Sequence, residues 1–203
     1  MFHVKQLFDK DIKIFVSELK KWNTKINLIS KNNTEIAISK NLHDSLALIP
    51  NIKNNIRLLD IGSGNGFPAI PIAIYRSDVN VYCTDSNIKK AIFIKNIKNT
   101  LNINNITILN NRFESKNKEY CDFFDAFTIK AVKITKKIVQ NIFLCARKRA
   151  SIFMFNSFKN NELSLFEQAG DKVINTVNKI VYNNFIGEKK EITEIILEKS
   201  FAN

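Results

Sequence analysis

The stretch Leu58-Leu59-Asp60-Ile61-Gly62-Ser63-Gly64-Asn65-Gly66-Phe67-Pro68 constrains the fold more than any other part of the chain. A short apolar run leads into a glycine cluster, and a helix-like segment opens at Pro68. Three of the chain's five glycines stand here, at alternate positions. In so glycine-poor a chain, this concentration calls for a backbone reason: positive φ, or the close approach of a ligand to the main chain. A loop that follows a strand and opens a helix lies at the carboxyl edge of an open α/β sheet, where such sheets bind ligands. A phosphate-cradling loop is excluded, because no Lys followed by Ser or Thr completes the pattern. The dinucleotide fingerprint GxGxxG is not met either, since the loop reads GxGxG. A tight turn with no ligand is the competing reading.

The flanking chain alternates as such a loop requires. Apolar runs at 56–61, 79–84, 106–109, 124–129 and 150–155 read as strands, and 68–76, 87–100, 134–147 and 162–168 as helices. The late runs 173–182 and 191–198 read as a β-hairpin. This alternation predicts βαβ units: a mostly parallel sheet with helices on both faces. Ahead of it, residues 1–32 read as an amphipathic helix, with Ile12, Phe15, Val16, Leu19 and Trp22 on one stripe. A second helix is expected at 34–49, capped by Thr34 and closed by Pro50. Residues 1–50 thus form a helical extension, and 51–203 one compact core. The second strand ends in Thr84-Asp85, and Asp85 lies 23 positions after Gly62. An acidic residue there is placed to accept hydrogen bonds from ribose hydroxyls. Capping of the next helix by Asp85 or Ser86 is compatible with that role.

Composition narrows the function classes. No apolar run approaches the roughly 18 residues of a membrane span, and residues 1–13 lack the apolar core of a secretory signal. Three cysteines without CxxC spacing argue against a disulfide framework or a cysteine-based zinc site. With only His3 and His43, no metal site is expected. A cytoplasmic protein is expected. The net charge of +12 suits a polyanionic partner. Codon bias is the competing source, because only 5 of the 31 basic residues are Arg.

Several segments together resemble one family. The loop with its preceding acid is similar to the first motif of S-adenosylmethionine (SAM) methyltransferases. Trp22-Asn23-x-x-Ile26-Asn27-Leu28, His43-Asp44-Ser45-Leu46-Ala47-Leu48, the extension of the loop through Ala69-Ile70-Pro71, Asp85-Ser86-x-x-Lys89-Lys90-x-x-Phe93 and Asn111-Arg112-Phe113-Glu114 follow in order. In register over about residues 15–145, they resemble the RsmG/GidB family, bacterial methyltransferases of guanine N7 in 16S ribosomal RNA. The resemblance implies a class I SAM-dependent, Rossmann-like fold with an N-terminal helical extension. It implies SAM contacts at Gly62, Gly64 and Phe67, a ribose partner in Asp85, and an adenine neighbourhood at Phe113 and Glu114. It places Lys130, where the family has arginine, beside SAM and the methyl-transfer centre as the catalytic candidate. The implied substrate is a guanine in the 530 loop of 16S rRNA, free or in the small ribosomal subunit. A monomer without metal or membrane attachment is implied.

The chain departs from the family pattern in ways that bear on activity. Lys130 keeps a charge but lacks the planar fork of arginine. Asn41 replaces a histidine, Arg147-Lys148-Arg149-Ala150 replaces a Gly-Gly turn, and Asn156-Ser157 replaces Lys-Gly. A decayed member that binds SAM or RNA without turnover, or a methyltransferase with another substrate, are the alternatives. Guanine N7 carries a lone pair in the neutral base, so the implied reaction needs no general base. Candidate RNA contacts are Lys13, Lys20, Lys21 and Lys25, then Lys130, Lys133, Lys136 and Lys137, then Arg147, Lys148 and Arg149. Lys133, Lys136 and Lys137 are expected on one helix face. Trp22 reads as a packing residue ahead of a base-stacking one.

Overall fold

The computed structural model describes residues 9–109, 113, 118–155, 164–166, 172–184 and 186–199. Seven strands form one sheet: β1 Arg57–Ile61, β2 Asn80–Thr84, β3 Ile106–Leu109, β4 Phe124–Ile129, β5 Ala146–Met154, β6 Lys172–Asn183 and β7 Lys189–Lys199. Their order is β3-β2-β1-β4-β5-β7-β6. The first five run parallel, while β7 is antiparallel to both β5 and β6. The strand order reverses between β1 and β4, and ligands of open α/β sheets bind outside the carboxyl ends at such a point.

The helices are α1 Lys10–Asn23, α2 Thr34–Leu48, α3 Ala69–Tyr75, α4 Ile88–Thr100 and α5 Lys136–Cys145. Strands buried on both faces read as continuous apolar runs, and β1 shows why. Leu58 joins a core with Phe15 and Leu19 of α1, Ile38 and Leu42 of α2, Ile70 of α3 and Phe93 of α4. Its neighbour Leu59 points the other way, into a core with Phe127, Ile138, Val139 and Ile142. The sheet is therefore covered on both sides, as the alternation predicts.

The N-terminal helices differ from the sequence expectation. The first does not run to residue 32; it stops at Asn23, whose buried side-chain oxygen accepts hydrogen bonds from the Leu28 and Ile29 amides, each at 2.9 Å. These bonds fold residues 24–29 back and bury Leu28 and Ile29 from a loop. The residue before α2 is Asn33, in the left-handed region at φ 58°, and not Thr34. Thr34 lies inside the helix and donates its hydroxyl to Ser30 O at 3.1 Å. Pro50 sits in a 3-10 turn, Ile49–Asn51, that follows α2. Trp22 is half-buried and its ring lies 5.7 Å from that of Phe93, a packing role. Of the helix expected at 162–168, residues 164–166 are helical and the rest lies outside the described residues.

Candidate functional site

The glycine loop is held against the neighbouring strand tip by its own backbone. Ser63 N donates to Thr84 O at 2.9 Å, Ser63 Oγ to Asp60 O at 3.0 Å, and Gly66 N to Ser63 O at 2.7 Å. Gly62 has φ +73°, and a Cβ there would meet Val132 Cγ2 at 2.5 Å. The loop backbone and the turn after β4 can approach this closely only without a side chain. Gly64 N donates to Asp85 Oδ2 at 2.9 Å, and Asp85 Oδ1 accepts from Asn87 N at 2.8 Å. Asp85 thus ties the loop to the start of α4, while Asn87 caps that helix through Lys89 N.

Beside this loop lies a cleft of about 320 Å³. Its lining comes from four strand tips and the elements that follow them: Ile61 and Gly62 after β1, Thr84, Asp85, Ser86 and Lys90 after β2, Phe113 beyond β3, and Ala131, Val132 and Ile138 after β4. One flank offers a carboxylate, hydroxyls and an ammonium; the other is apolar. Such a surface suits a ligand with a polar sugar-like portion and a flat apolar portion.

Of the residues singled out in the sequence, Gly62, Asp85 and Phe113 meet in this cleft. Gly64 is buried behind it, bonded to Asp85. Phe67 is 3% exposed and packs edge-on against Phe15, with ring centres 4.9 Å apart, so its side chain belongs to the core. Glu114, with Asn111, Arg112, Asn156 and Ser157, lies outside the described residues. Lys130 is half-buried, its ammonium shut off from solvent, and it adjoins the cleft through its neighbours Ala131 and Val132. Its Nζ sits 2.7 Å from Asp44 Oδ2 and 5.1 Å from the Phe155 ring centre. Burial pushes the Lys130 pKa down, against the pull of Asp44 and Asp60. Asn41 donates its side-chain amide to Ala37 O at 2.7 Å, within α2.

Asp60, at the end of β1, is fully buried. Its Oδ1 accepts the Thr128 hydroxyl at 2.7 Å, and its Oδ2 has no partner among the described residues. Burial pushes its pKa up to about 7, against the Thr128 and Ser63 hydrogen bonds and the charge of Lys130.

Sequence reasoning did not assign Thr84, Ser86, Lys90, Ala131, Val132 or Ile138 to the site. A usable signal existed for Lys90: it lies in the first turn of the helix after a strand tip, and that turn faces the carboxyl edge. The basic candidates separate in space. Lys133, Lys136 and Lys137 are exposed near the cleft, but Lys133 precedes α5, so the three do not share one helix face. Arg147, Lys148 and Arg149 stand at the amino end of β5, on the edge opposite the glycine loop, where Arg147 pairs with Asp125 at 3.1 Å. Among the described residues, no helix is long and apolar enough to cross a membrane, and no cluster of His, Cys, Asp and Glu is fit to hold a metal ion.

A family model described as GidB, rRNA small subunit methyltransferase G, matches residues 9–192. A ribosomal RNA small subunit methyltransferase G from Geobacter sp. (strain M21) is 41% identical over 116 residues, 57% of this chain and 54% of that protein. The protein of the same name from Chromobacterium violaceum is 36% identical over 132 residues, 62% of each chain. The chain thus spans about half to three-fifths of the length of the curated relatives it matches. Among solved structures, a SAM-dependent methyltransferase from Aquifex aeolicus superposes with TM-score 0.63 at 13% identity, covering 89% of this chain and 97% of that one. The [4+2]-cyclase SpnF gives the same TM-score at 9% identity, covering 93% and 94%. These likenesses establish the class I, Rossmann-like methyltransferase fold. That a cyclase shares it shows that the fold alone does not name the chemistry.

Proposed function

The chain belongs to the rRNA small subunit methyltransferase G family, and from that premise we propose that it transfers the methyl group of SAM to N7 of a guanine in the 530 loop of 16S ribosomal RNA. The observation that carries this reading is the cleft in which Gly62, Asp85 and Phe113 meet. Its residues fit the cofactor. Asp85 offers a carboxylate to ribose hydroxyls, and Phe113 and Ile138 offer apolar surface to adenine. Gly62 lets the loop backbone close against Val132. Gly64 fixes Asp85 from behind, and Phe67, with its ring in the core, contributes through its main chain. By the family resemblance, Glu114 is assigned to the adenine as well. When bound, SAM supplies a methyl group activated on a sulfonium centre.

The remaining work of the protein is orientation. Guanine N7 attacks with its own lone pair. With SAM bound, the S–CH₃ bond would break as the N–CH₃ bond forms, and the positive charge would pass from sulfur to the base. No side chain has to remove a proton. Holding the reactants about 3–3.5 Å apart in line supplies roughly 7–11 kcal/mol of the barrier. Lys130 is the donor that holds the base or an adjoining phosphate oxygen. The substrate is the RNA or the assembled small subunit in the cytoplasm, and the protein acts as a monomer.

The test joins SAM calorimetry to methyl transfer onto small subunits from a strain lacking the modification. Binding with transfer is the expected result. Binding without transfer overturns the enzymatic reading in favour of a decayed member, and absence of binding overturns the cofactor assignment as well. Lys130→Ala is expected to lose transfer; unchanged transfer and SAM affinity would remove Lys130 from the site.

A further inference from the structure

We propose that Asp44, anchored by Tyr182, is the counter-charge that allows Lys130 to hold the substrate base without opposing the positive charge which that base acquires. The inference rests on the proposed N7 methyl transfer. Its geometry joins three distant parts of the chain. Asp44 comes from α2, Lys130 from the end of β4 and Tyr182 from β6. The Tyr182 hydroxyl donates to Asp44 Oδ1 at 2.6 Å, and the Lys130 ammonium lies 2.7 Å from Oδ2. The side chains of Lys130 and Asp44 are only 14% and 19% exposed, so water screens the pair weakly.

The charge flow of the reaction makes this pairing useful. A neutral guanine becomes a cation when N7 is methylated. An uncompensated ammonium beside it would repel that charge, most strongly where water is scarce. With Asp44 in contact, the pair keeps a donor but presents little net charge. The division of the carboxylate fits an ammonium. A guanidinium engages both oxygens of a carboxylate, whereas lysine takes one, and here the phenol takes the other. The other groups that face this site are Asp60 from β1, the Phe155 ring and His43, the neighbour of Asp44. Asp60 alone does not replace Asp44, because Asp44 is in contact with the ammonium and pulls on it more strongly than Asp60 does.

Asp44→Asn, Tyr182→Phe and Lys130→Ala would be compared in methyl transfer to unmodified small subunits, with kcat and KM resolved from about pH 6 to 10. Asp44→Asn is expected to lower kcat about tenfold or more and to leave SAM affinity and KM for the subunit within about twofold. Its alkaline limb moves to lower pH, because Lys130 loses the anion that sustains its charge. Tyr182→Phe shows the same split with a smaller loss, and it decides the matter if Asp44→Asn fails to bind SAM. An unmoved alkaline limb with unchanged kcat in both variants, while Lys130→Ala is inactive, overturns this inference alone. Full turnover by Lys130→Ala overturns the reading on which it rests.

Discussion

A Cβ on Gly62 would stand 2.5 Å from Val132 Cγ2, on a backbone already at φ +73°. Gly62→Ala therefore combines left-handed strain of about 1–2 kcal/mol with displacement of the turn after β4. The expected outcome is a lower melting temperature together with SAM binding weakened at least about tenfold, measured by calorimetry; unchanged affinity would detach this glycine from the cofactor. Asp60 yields a pH prediction. Its folded-state pKa of about 7 lies above the ordinary carboxylate value of about 4. Between these values the folded protein holds a proton that the unfolded chain has lost, so stability present at acid pH declines as pH rises through the window. Asp60→Asn keeps the shape without the charge. Its melting temperature relative to the parent should rise from about pH 5 to about pH 8, and a difference that stays constant with pH would contradict the burial argument. Gly62 and Asp85 were legible in the sequence because strand tips of one parallel sheet must converge. The orientations of Phe67 and Lys130 were not, because packing against Phe15 and pairing with Asp44 involve residues far away in the chain.

Elements were legible where an apolar run is short and self-contained, and illegible where one side chain redirects the backbone. β3 and β4 occupy 106–109 and 124–129, as their apolar runs predict. β5 begins at Ala146, ahead of the expected 150, because Phe124 pairs with Ala146 across a bulge. Three exposed basic residues in succession conceal that pairing from any local pattern. The end of α1 is equally hidden. Ile26, Leu28 and Ile29 prolong the apolar pattern, yet Asn23 turns the chain by accepting two main-chain hydrogen bonds. Asn23→Ala leaves both amides without that acceptor, at an expected loss of about 2–4 kcal/mol and roughly 5–15 °C in melting temperature. Asn23→Asp, which retains an acceptor, should recover part of it. An alanine variant as stable as the parent would show that the loop after α1 is held by its apolar residues alone.

At the scale of the molecule, the question is where the charge of +12 acts. Codon bias scatters lysine without regard to position, whereas a substrate that reaches the cleft must meet cations at the carboxyl edge of the sheet. Lys136 and Lys137 occupy the first turn of α5, a turn with no acidic residue. Cations there oppose the positive end of the helix dipole, a cost that an approaching polyanion would offset. Lys148 and Arg149 lie at the amino edge, and Arg149 there faces Glu198 in the sheet register. Two sets of substitutions separate location from net charge. Lys133→Gln, Lys136→Gln and Lys137→Gln together remove three charges near the cleft, and Lys148→Gln with Arg149→Gln remove two from the far edge. If the carboxyl edge meets RNA, the first set weakens binding and lowers the slope of log affinity against log salt by about 2–3, while the second leaves the slope and methyl transfer near the parent values. Equal losses in proportion to the charge removed would mean that the lysine excess acts only as a diffuse field, and that no part of this surface is specific to the cleft.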